Sequence, residues 1–265
     1  MKKKFLFSAF GWFMTMVIGQ IIGAIIGIIY QAATVPNWLE MLMTEEDIMK
    51  VVSGITNPML LGGVIAVFVV VLIAASKIDN EEKTYGQKLK DYLNLHPLEN
   101  PFSYVSYFCM GIGINIILSL ALTWIYELLN LTDDATMFSQ DVLMIVCVAL
   151  LVPIAEEIVY RNRIYINFKN IKHKSANFWQ SLLFGLSHGM PIQVLYTFGF
   201  GLVFGKINDR EKSLLPSICL HCGINFFAAI AMFSPGAEMY LIPFTLLAIP
   251  QVIKLLKRER TDLDL

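Results

Sequence analysis

Two neighbouring carboxylates stand in a stretch of sequence that is otherwise apolar. Glu156 and Glu157 occur in VPIAEEIVYR, directly after the apolar run VLMIVCVALL. A charged side chain at the centre of a bilayer costs at least about 2.5–3.5 kcal/mol on insertion scales, so such residues require a partner or a function. Arg161 follows Glu157 by four residues, and the two are predicted to form an ion pair on one helix face. Glu156 points about 100° away from Glu157 around the helix axis. It is predicted to accept and donate protons in the reaction.

Two histidines fall in other apolar stretches, each with a partner four residues away. Phe184 and His188 form one pair, and His221 and Asn225 form the other, so each pair shares a face of its own helix. An acid, two imidazoles and an amide suit hydrolysis: the carboxylate takes a proton from water, and the polar groups hold that water or a developing oxyanion. Glu156, His188 and His221 also match the ligand number of many catalytic zinc sites. The sequence alone does not decide between metal-bound and glutamate-activated water.

Structural interpretations compete with this chemistry. Both acids can lie at the cytoplasmic edge of the membrane, charged or protonated, and a single histidine in an apolar helix is more often a satisfied interior residue. The stretch CLHC over 219–222 has C-x-x-C spacing, typical of metal or redox sites. It lies in an apolar segment, however, where cysteine behaves as a small hydrophobe. No H-E-x-x-H motif occurs, which argues against a zincin-like site.

Long apolar stretches must position these groups. Of the 265 residues, 56% are hydrophobic and 15% are charged, whereas a soluble domain averages about 45–50% and 25%. The composition predicts a multi-pass protein of the cell membrane, and the net charge of −1 gives no indication of nucleic-acid binding. The predicted fold class is all-α, a polytopic bundle of about eight transmembrane helices in a single membrane domain over 1–265. The predicted helices cover 5–30, 54–76, 103–129, 141–160, 177–189, 191–207, 214–233 and 239–256.

Basic residues predict the orientation of the bundle. With the N-terminus in the cytoplasm, 19 of the 20 Lys and Arg residues fall on the cytoplasmic side, and only Lys50 does not. Positively charged loops stay in the cytoplasm, so both termini are predicted to be cytoplasmic, and the polar residues then lie in or near the cytoplasmic half. The first helix also carries Gly19, Gly23 and Gly27 at four-residue spacing, which favours close helix packing in lipid.

In their order, the three motifs resemble the CAAX-prenyl-protease and bacteriocin-processing (Abi) family of intramembrane proteases. The motifs are E-E-x-x-x-R at 156–161, F-x-x-x-H at 184–188 and H-x-x-x-N at 221–225, and the resemblance covers about residues 140–235. It implies a glutamate-dependent endopeptidase whose site opens toward the cytoplasm. Its partners would be a peptide or membrane-protein substrate and membrane lipid.

The resemblance also implies roles for the motif residues. Glu156 would activate water that His188 helps to bind, and His221 and Asn225 would form the oxyanion site. The supporting residues would be Glu157, Arg161 and Phe184. Family members are often described as metalloproteases, so zinc on Glu156, His188 and His221 is a possible cofactor. Some relatives cut after a prenylated cysteine, and others are linked to bacteriocin maturation or immunity.

Two non-proteolytic functions compete with this prediction. One is a non-catalytic membrane scaffold or immunity protein, in which the polar residues only stabilise the fold. The other is a small transporter, which requires polar residues along a path through both leaflets; Asn115 and Glu127 would be the outer ones. The sequence does not indicate an oligomeric state.

Overall fold

The computed structural model describes residues 2–38, 45–130, 142–171, 175–234 and 236–263. Within these ranges every regular element is helical and no strand occurs, which confirms the all-α class. The helices that precede the motifs are α1 (Lys2–Thr34), α2 (Glu45–Ser76), α3 (Tyr85–Tyr92) and α4 (Phe102–Leu129). Helix α5 is continuous over 142–171 and combines α-helical and π-helical parts. It is followed by α6 (Ala176–Leu186), α7 (Pro191–Glu211), α8 (Leu215–Phe233), a 3₁₀ segment (Ala237–Ala248) and α9 (Ile249–Leu263).

Five segments of the described chain are long and apolar enough to cross a membrane. They are Ser8–Thr34, Gly54–Ser76, Phe102–Leu129, Leu215–Met232 and Glu238–Lys257. A span requires roughly 20 apolar residues, so these five support a multi-pass membrane protein. The 11 residues of α6 rise only about 17 Å. The count of eight spans and the cytoplasmic position of both termini therefore stay predictions.

Helices α1 and α2 cross at glycines. A Cβ added to Gly23 would overlap the Pro58 carbonyl, and one added to Gly62 would overlap the Gly19 carbonyl. The two backbones therefore approach as closely as the spacing of glycines in α1 predicts. Gly111 of α4 and Gly223 of α8 form a second close crossing of the same kind. Without a hydrophobic driving force between helices in lipid, such backbone contact is a main source of association.

Helix α5 lies at the centre of the bundle. It packs against α1, α2, α6, α7 and α8. Two parts of it, Cys147–Leu151 and Ile158–Ile164, are π-helical, and between them lies the α-helical turn Val152–Glu157 that carries both acids. Six of the seven side chains in Ile158–Ile164 are buried. A helix that is covered on all sides belongs to the interior, so the motif E-E-x-x-x-R is held by the most enclosed element.

Several helix boundaries differ from the sequence prediction, and the helix predicted over 141–160 continues to residue 171. The predicted helix over 177–189 ends earlier, at Leu186, so His188 stands in the turn that follows, before Gly189 with φ of 76°. The predicted α-helix over 239–256 is 3₁₀ up to Ala248. Pro243 and Pro250 lie in this stretch and lack the N–H that an α-helix requires.

The loop over 77–101 contains α3. Thr84 and Gln87 cap this helix reciprocally. Its end is tied to α5, since the Asn162 amide donates to the Tyr92 carbonyl at 3.1 Å. Arg163 donates to the same carbonyl and places its guanidinium over the Tyr92 ring. The loop is thereby attached to the helix that carries the acids.

Candidate active site

Glu157 is the centre of a buried ion cluster. Its Oε1 lies 3.1 Å from Nη1 of Arg161, and both side chains have no exposed area. The predicted ion pair is therefore confirmed. The same oxygen lies 2.9 Å from Nδ1 of His221, which comes from α8. A carboxylate only accepts hydrogen bonds, so Nδ1 of His221 carries the proton that is donated to Glu157.

Glu156 approaches the other side of the same imidazole. Its Oε2 lies 3.6 Å from Nε2 of His221, and its side chain is 12% exposed, so it points into the protein. The two adjacent acids thus lie next to different nitrogens of the same imidazole ring. Glu157 contacts Arg161 and Nδ1 of His221. Glu156 lies beside Nε2 of His221 at a distance longer than a hydrogen bond. The two acids therefore differ in their contacts, and their roles stay a prediction.

Aromatic rings enclose the Arg161 guanidinium. Its Cζ lies 4.0 Å from the centroid of Phe184 and 4.8 Å from that of Phe204. The Phe204 ring also lies 4.9 Å from that of His221. Arginine is attracted to the faces of aromatic rings, and more strongly when both are desolvated. Phe204 on α7 and Tyr160 on α5 are wall residues that the sequence analysis missed, because an aromatic residue in an apolar helix does not stand out.

His188 reaches the site from the turn after α6. Its Nδ1 lies 2.8 Å from the carbonyl oxygen of Phe184. Because a carbonyl only accepts, this nitrogen is the donor, and Nε2 presents a lone pair. The Phe184 ring lies between the two histidines, with centroids 4.9 Å from His188 and 5.8 Å from His221. The structure therefore brings both predicted imidazoles to one aromatic side chain.

Asn225 is tied to α5 and not to the other motif residues. Its Nδ2 donates to the Val148 carbonyl at 3.0 Å, in the first π segment. Within the described residues, no hydrogen bond joins Asn225 to His221 or Glu156. The second N–H of the carboxamide is not used by the bond to Val148. One N–H thus fixes the side chain and leaves the other for a different acceptor.

Glu156, His188 and His221 are the residues predicted as zinc ligands. No group of three His, Cys, Asp or Glu side chains in the described ranges is placed to hold a metal ion. The Nδ1 of His221 is engaged by Glu157, and its Nε2 is the nitrogen that faces Glu156. Zinc on these three residues stays a prediction, which metal analysis of the purified protein tests. Cys219 and Cys222 are free thiols.

Glu156 also borders a narrow crevice on the side facing α1 and α2. The crevice lies between these two helices and the α-helical turn of α5. The acid therefore has His221 on one side and, on the other, a crevice with room for about one water molecule. This arrangement suits a general base that must reach both an orienting group and a reacting molecule.

One family model matches the segment that carries these residues. The family model described as Type II CAAX prenyl endopeptidase Rce1-like matches residues 138–227. This segment runs from the start of α5 into α8 and contains all three motifs. No curated protein and no solved structure matches the chain. Over residues 138–227 the chain is similar to the Rce1-like type II CAAX prenyl endopeptidases, which confirms the family resemblance predicted from the motifs.

Proposed function

We propose that the chain is an intramembrane endopeptidase that hydrolyses a peptide bond with water activated by Glu156. The observation that carries this proposal is the unequal pair of acids on α5. Glu157 is bound to Arg161 and His221, while Glu156 lies 3.6 Å from Nε2 of His221 and borders a crevice. A purely structural role would require no second acid beside the same ring. The substrate is a peptide or a segment of a membrane protein, with a CAAX-type sequence as the first candidate.

The chemistry follows from the groups present. The Glu156 carboxylate takes a proton from water while the water oxygen forms a bond to the scissile carbonyl carbon. The carbonyl oxygen becomes an oxyanion in the tetrahedral intermediate. The C–N bond then breaks, and the proton held on Glu156 passes to the departing amine nitrogen. General base catalysis of this kind contributes about 10²–10⁴-fold to the rate.

The remaining motif residues assist by hydrogen bonding. The lone pair on Nε2 of His188 accepts a hydrogen bond from the attacking water. When both nitrogens of His221 are protonated, its Nε2–H donates to the oxyanion, and the second N–H of Asn225 is a further donor. Glu157 and Arg161 hold the His221 ring in register, because the Nδ1–H bond to Glu157 fixes the ring plane.

The test is the Glu156→Gln substitution, which keeps the size of the side chain and removes the base. Wild type and variant are reconstituted in liposomes with a fluorescence-quenched peptide that ends in a farnesylated CAAX sequence. We expect the turnover of the variant to fall at least about 100-fold. Glu127→Gln is the matched control, because Glu127 is exposed near the end of α4 and is expected to leave turnover unchanged. Equal turnover by wild type and the Glu156 variant would exclude Glu156 as the base.

Membrane peptidomics extends the test to native substrates. Peptides that appear with wild type and disappear with Glu156→Gln report the cleavage sites directly, and the tripeptide released from behind a prenylated cysteine is distinguished from a matured bacteriocin by mass. If the variant inserts normally and fully restores a deletion strain while producing the same peptides as wild type, the chain is a scaffold and not a protease.

A further inference from the structure

The crevice beside Glu156 has the size and the polarity of a site for a single water molecule. It lies between α1, α2 and α5 and has room for about one water. Among the described residues that line it, polar side chains come from Glu156 and from Gln20 of α1. Gln20 lies outside residues 138–227, the segment that the family model matches. The crevice therefore combines the proposed base with an amide from the unmatched part of the chain.

The side chain of Gln20 passes over Gly63 of α2. A Cβ added to Gly63 would lie 2.8 Å from Cγ of Gln20 and 3.6 Å from its Cδ. The carbonyl oxygen of Met16 lies 3.5 Å from the same point, so it faces this wall of the crevice as well. In the described part of the chain, no residue forms a hydrogen bond with the Gln20 carboxamide. Because an amide in an apolar environment is unfavourable without a partner, this one requires a polar molecule in the crevice.

One water molecule complements all the polar groups of this crevice. The Gln20 NH₂ donates to the water oxygen, and the water donates its two hydrogens to the Glu156 carboxylate and to the Met16 carbonyl. Oε2 of Glu156 already faces His221, so Oε1 is the oxygen left for the water. Three hydrogen bonds are typical of a water enclosed in a protein. Because the crevice is about one water wide, the groups that line it contact the same molecule.

The proposed base is otherwise surrounded by groups that are almost closed to solvent. Glu157 and Arg161 have no exposed side-chain area, and the side chain of His221 is 6% exposed. Each turnover of a hydrolase consumes one water molecule, and the hydrocarbon core of a membrane supplies none. A water that is bound against the Glu156 carboxylate is therefore at hand when a peptide bond reaches the site.

We propose that Gln20 and Glu156 form a water-binding site in the α1–α2–α5 crevice that supplies the water for peptide hydrolysis. This proposal rests on the proposed peptidase function and extends its site to the first two helices. The water is held by Gln20 before the reaction and moves past the Glu156 carboxylate to the side of His188, where it attacks the substrate. The peptide itself stays outside the crevice. Gln20 therefore acts on the water and makes no contact with the substrate.

The first test is kinetic and uses the farnesylated, quenched CAAX peptide in liposomes. Gln20→Met keeps the length of the side chain and removes its hydrogen bonds, so we expect kcat to fall about 2–10-fold while KM stays unchanged. The control is Gln31→Met, the same change about 17 Å farther along α1, where the amide lies against Gly54 of α2. An unchanged kcat for Gln20→Met, a higher KM in place of a lower kcat, or an equal loss in Gln31→Met overturns the proposal and leaves the role of Glu156 intact.

The second test does not depend on turnover. Structures of the wild-type chain and of Gln20→Met are determined in nanodiscs at a resolution that shows ordered water, and the two crevices are compared. We expect a water within hydrogen-bond distance of both Gln20 and Glu156 in wild type, and its loss in Gln20→Met. A wild-type crevice without this water, or a water that persists in Gln20→Met, overturns the proposal. The water together with an absence of cleavage by wild type confirms the binding site and refutes only the peptidase function.

Discussion

At the scale of single residues, Arg161 shows how the site is held. Its guanidinium is fully buried, pairs with Glu157 and faces the rings of Phe184 and Phe204. Its Nε and Nη2 atoms have no hydrogen-bond partner within the described chain. A planar, delocalised cation tolerates this position because it is weakly hydrated and stacks on aromatic rings, properties that lysine lacks. The ion pair and the rings therefore act together to hold the Glu157 side chain in place.

Removal of the Arg161 charge is expected to destabilise the protein strongly. Arg161→Met leaves the Glu157 carboxylate buried without a cation, which costs about 3–5 kcal/mol. The double variant Glu157→Gln/Arg161→Met removes both charges and is expected to lose clearly less than the sum of the two single variants. The unfolding free energy is measured by titration of mixed micelles with denaturing detergent.

The chain provides a matched control for this prediction. Lys169 pairs with Asp209 at 2.9 Å, but both side chains are about 40% exposed, at 38% and 43%. An exposed ion pair contributes about 0–1 kcal/mol, so Lys169→Met should change the unfolding free energy little. Additive losses in the double variant at 157 and 161 would contradict coupling between the two charges.

The residue contacts were predictable from sequence only where they are local. Glu157 and Arg161 meet because four residues separate them on one helix. The contact of Glu157 with His221 joins residues 64 positions apart, and only the order of the motifs indicated it. Phe204 was missed since its role depends on which ring it faces.

At the scale of helices, the two π segments of α5 are the least predictable feature. In a π turn each hydrogen bond joins residues five apart, one more than in an α-helix. Such turns often occur at functional sites. Here the π segments flank Val152–Glu157, the turn that holds the acids on either side of His221. Composition and periodicity predict a helix over 141–160. They do not predict which of its turns are π-helical and which are α-helical. In contrast, Pro243 and Pro250 could have indicated the 3₁₀ segment before α9, because both lack an N–H.

The close packing of α1 against α2 depends on glycine at the crossing. A Cβ at Gly23 would meet the backbone of Pro58 and Met59, which has no flexible side chain to move aside. Gly23→Ala is therefore expected to push the two helices apart and to lower the unfolding free energy by about 1–3 kcal/mol. Because these helices form two walls of the crevice, cleavage of the quenched peptide should decrease as well.

Another glycine of α1 controls for the substitution itself. Gly11 has no heavy atom within 4 Å of an added Cβ, so Gly11→Ala should leave both quantities unchanged or slightly raise stability. Both variants are compared by detergent titration and by the peptide assay. A stable and fully active Gly23→Ala variant would show that the helices do not pack this closely in the membrane.

At the scale of the whole molecule, the outer surface fits a lipid environment. Large apolar side chains of α1 are exposed on one side of the helix, and they include Ile22, Ile25, Ile26 and Ile29. The polar residues of the site instead face the interior around α5. The bundle thus encloses its charges and presents hydrocarbon outward, as a multi-pass protein must. Such a surface does not define which end of the bundle faces the cytoplasm.

The orientation prediction rests on 19 basic residues and is tested by labelling. Single cysteines are introduced in place of Glu81, in the loop before α3, and of Ser234, just after α8; both positions are exposed. The positive-inside bias places Glu81 in the cytoplasm and Ser234 outside. A membrane-impermeant maleimide added to intact cells should therefore label Ser234→Cys at once and Glu81→Cys only after permeabilisation. The unsubstituted chain, whose four cysteines are buried or half-buried, gives the background, and the reverse labelling pattern would invert the proposed side of the active site.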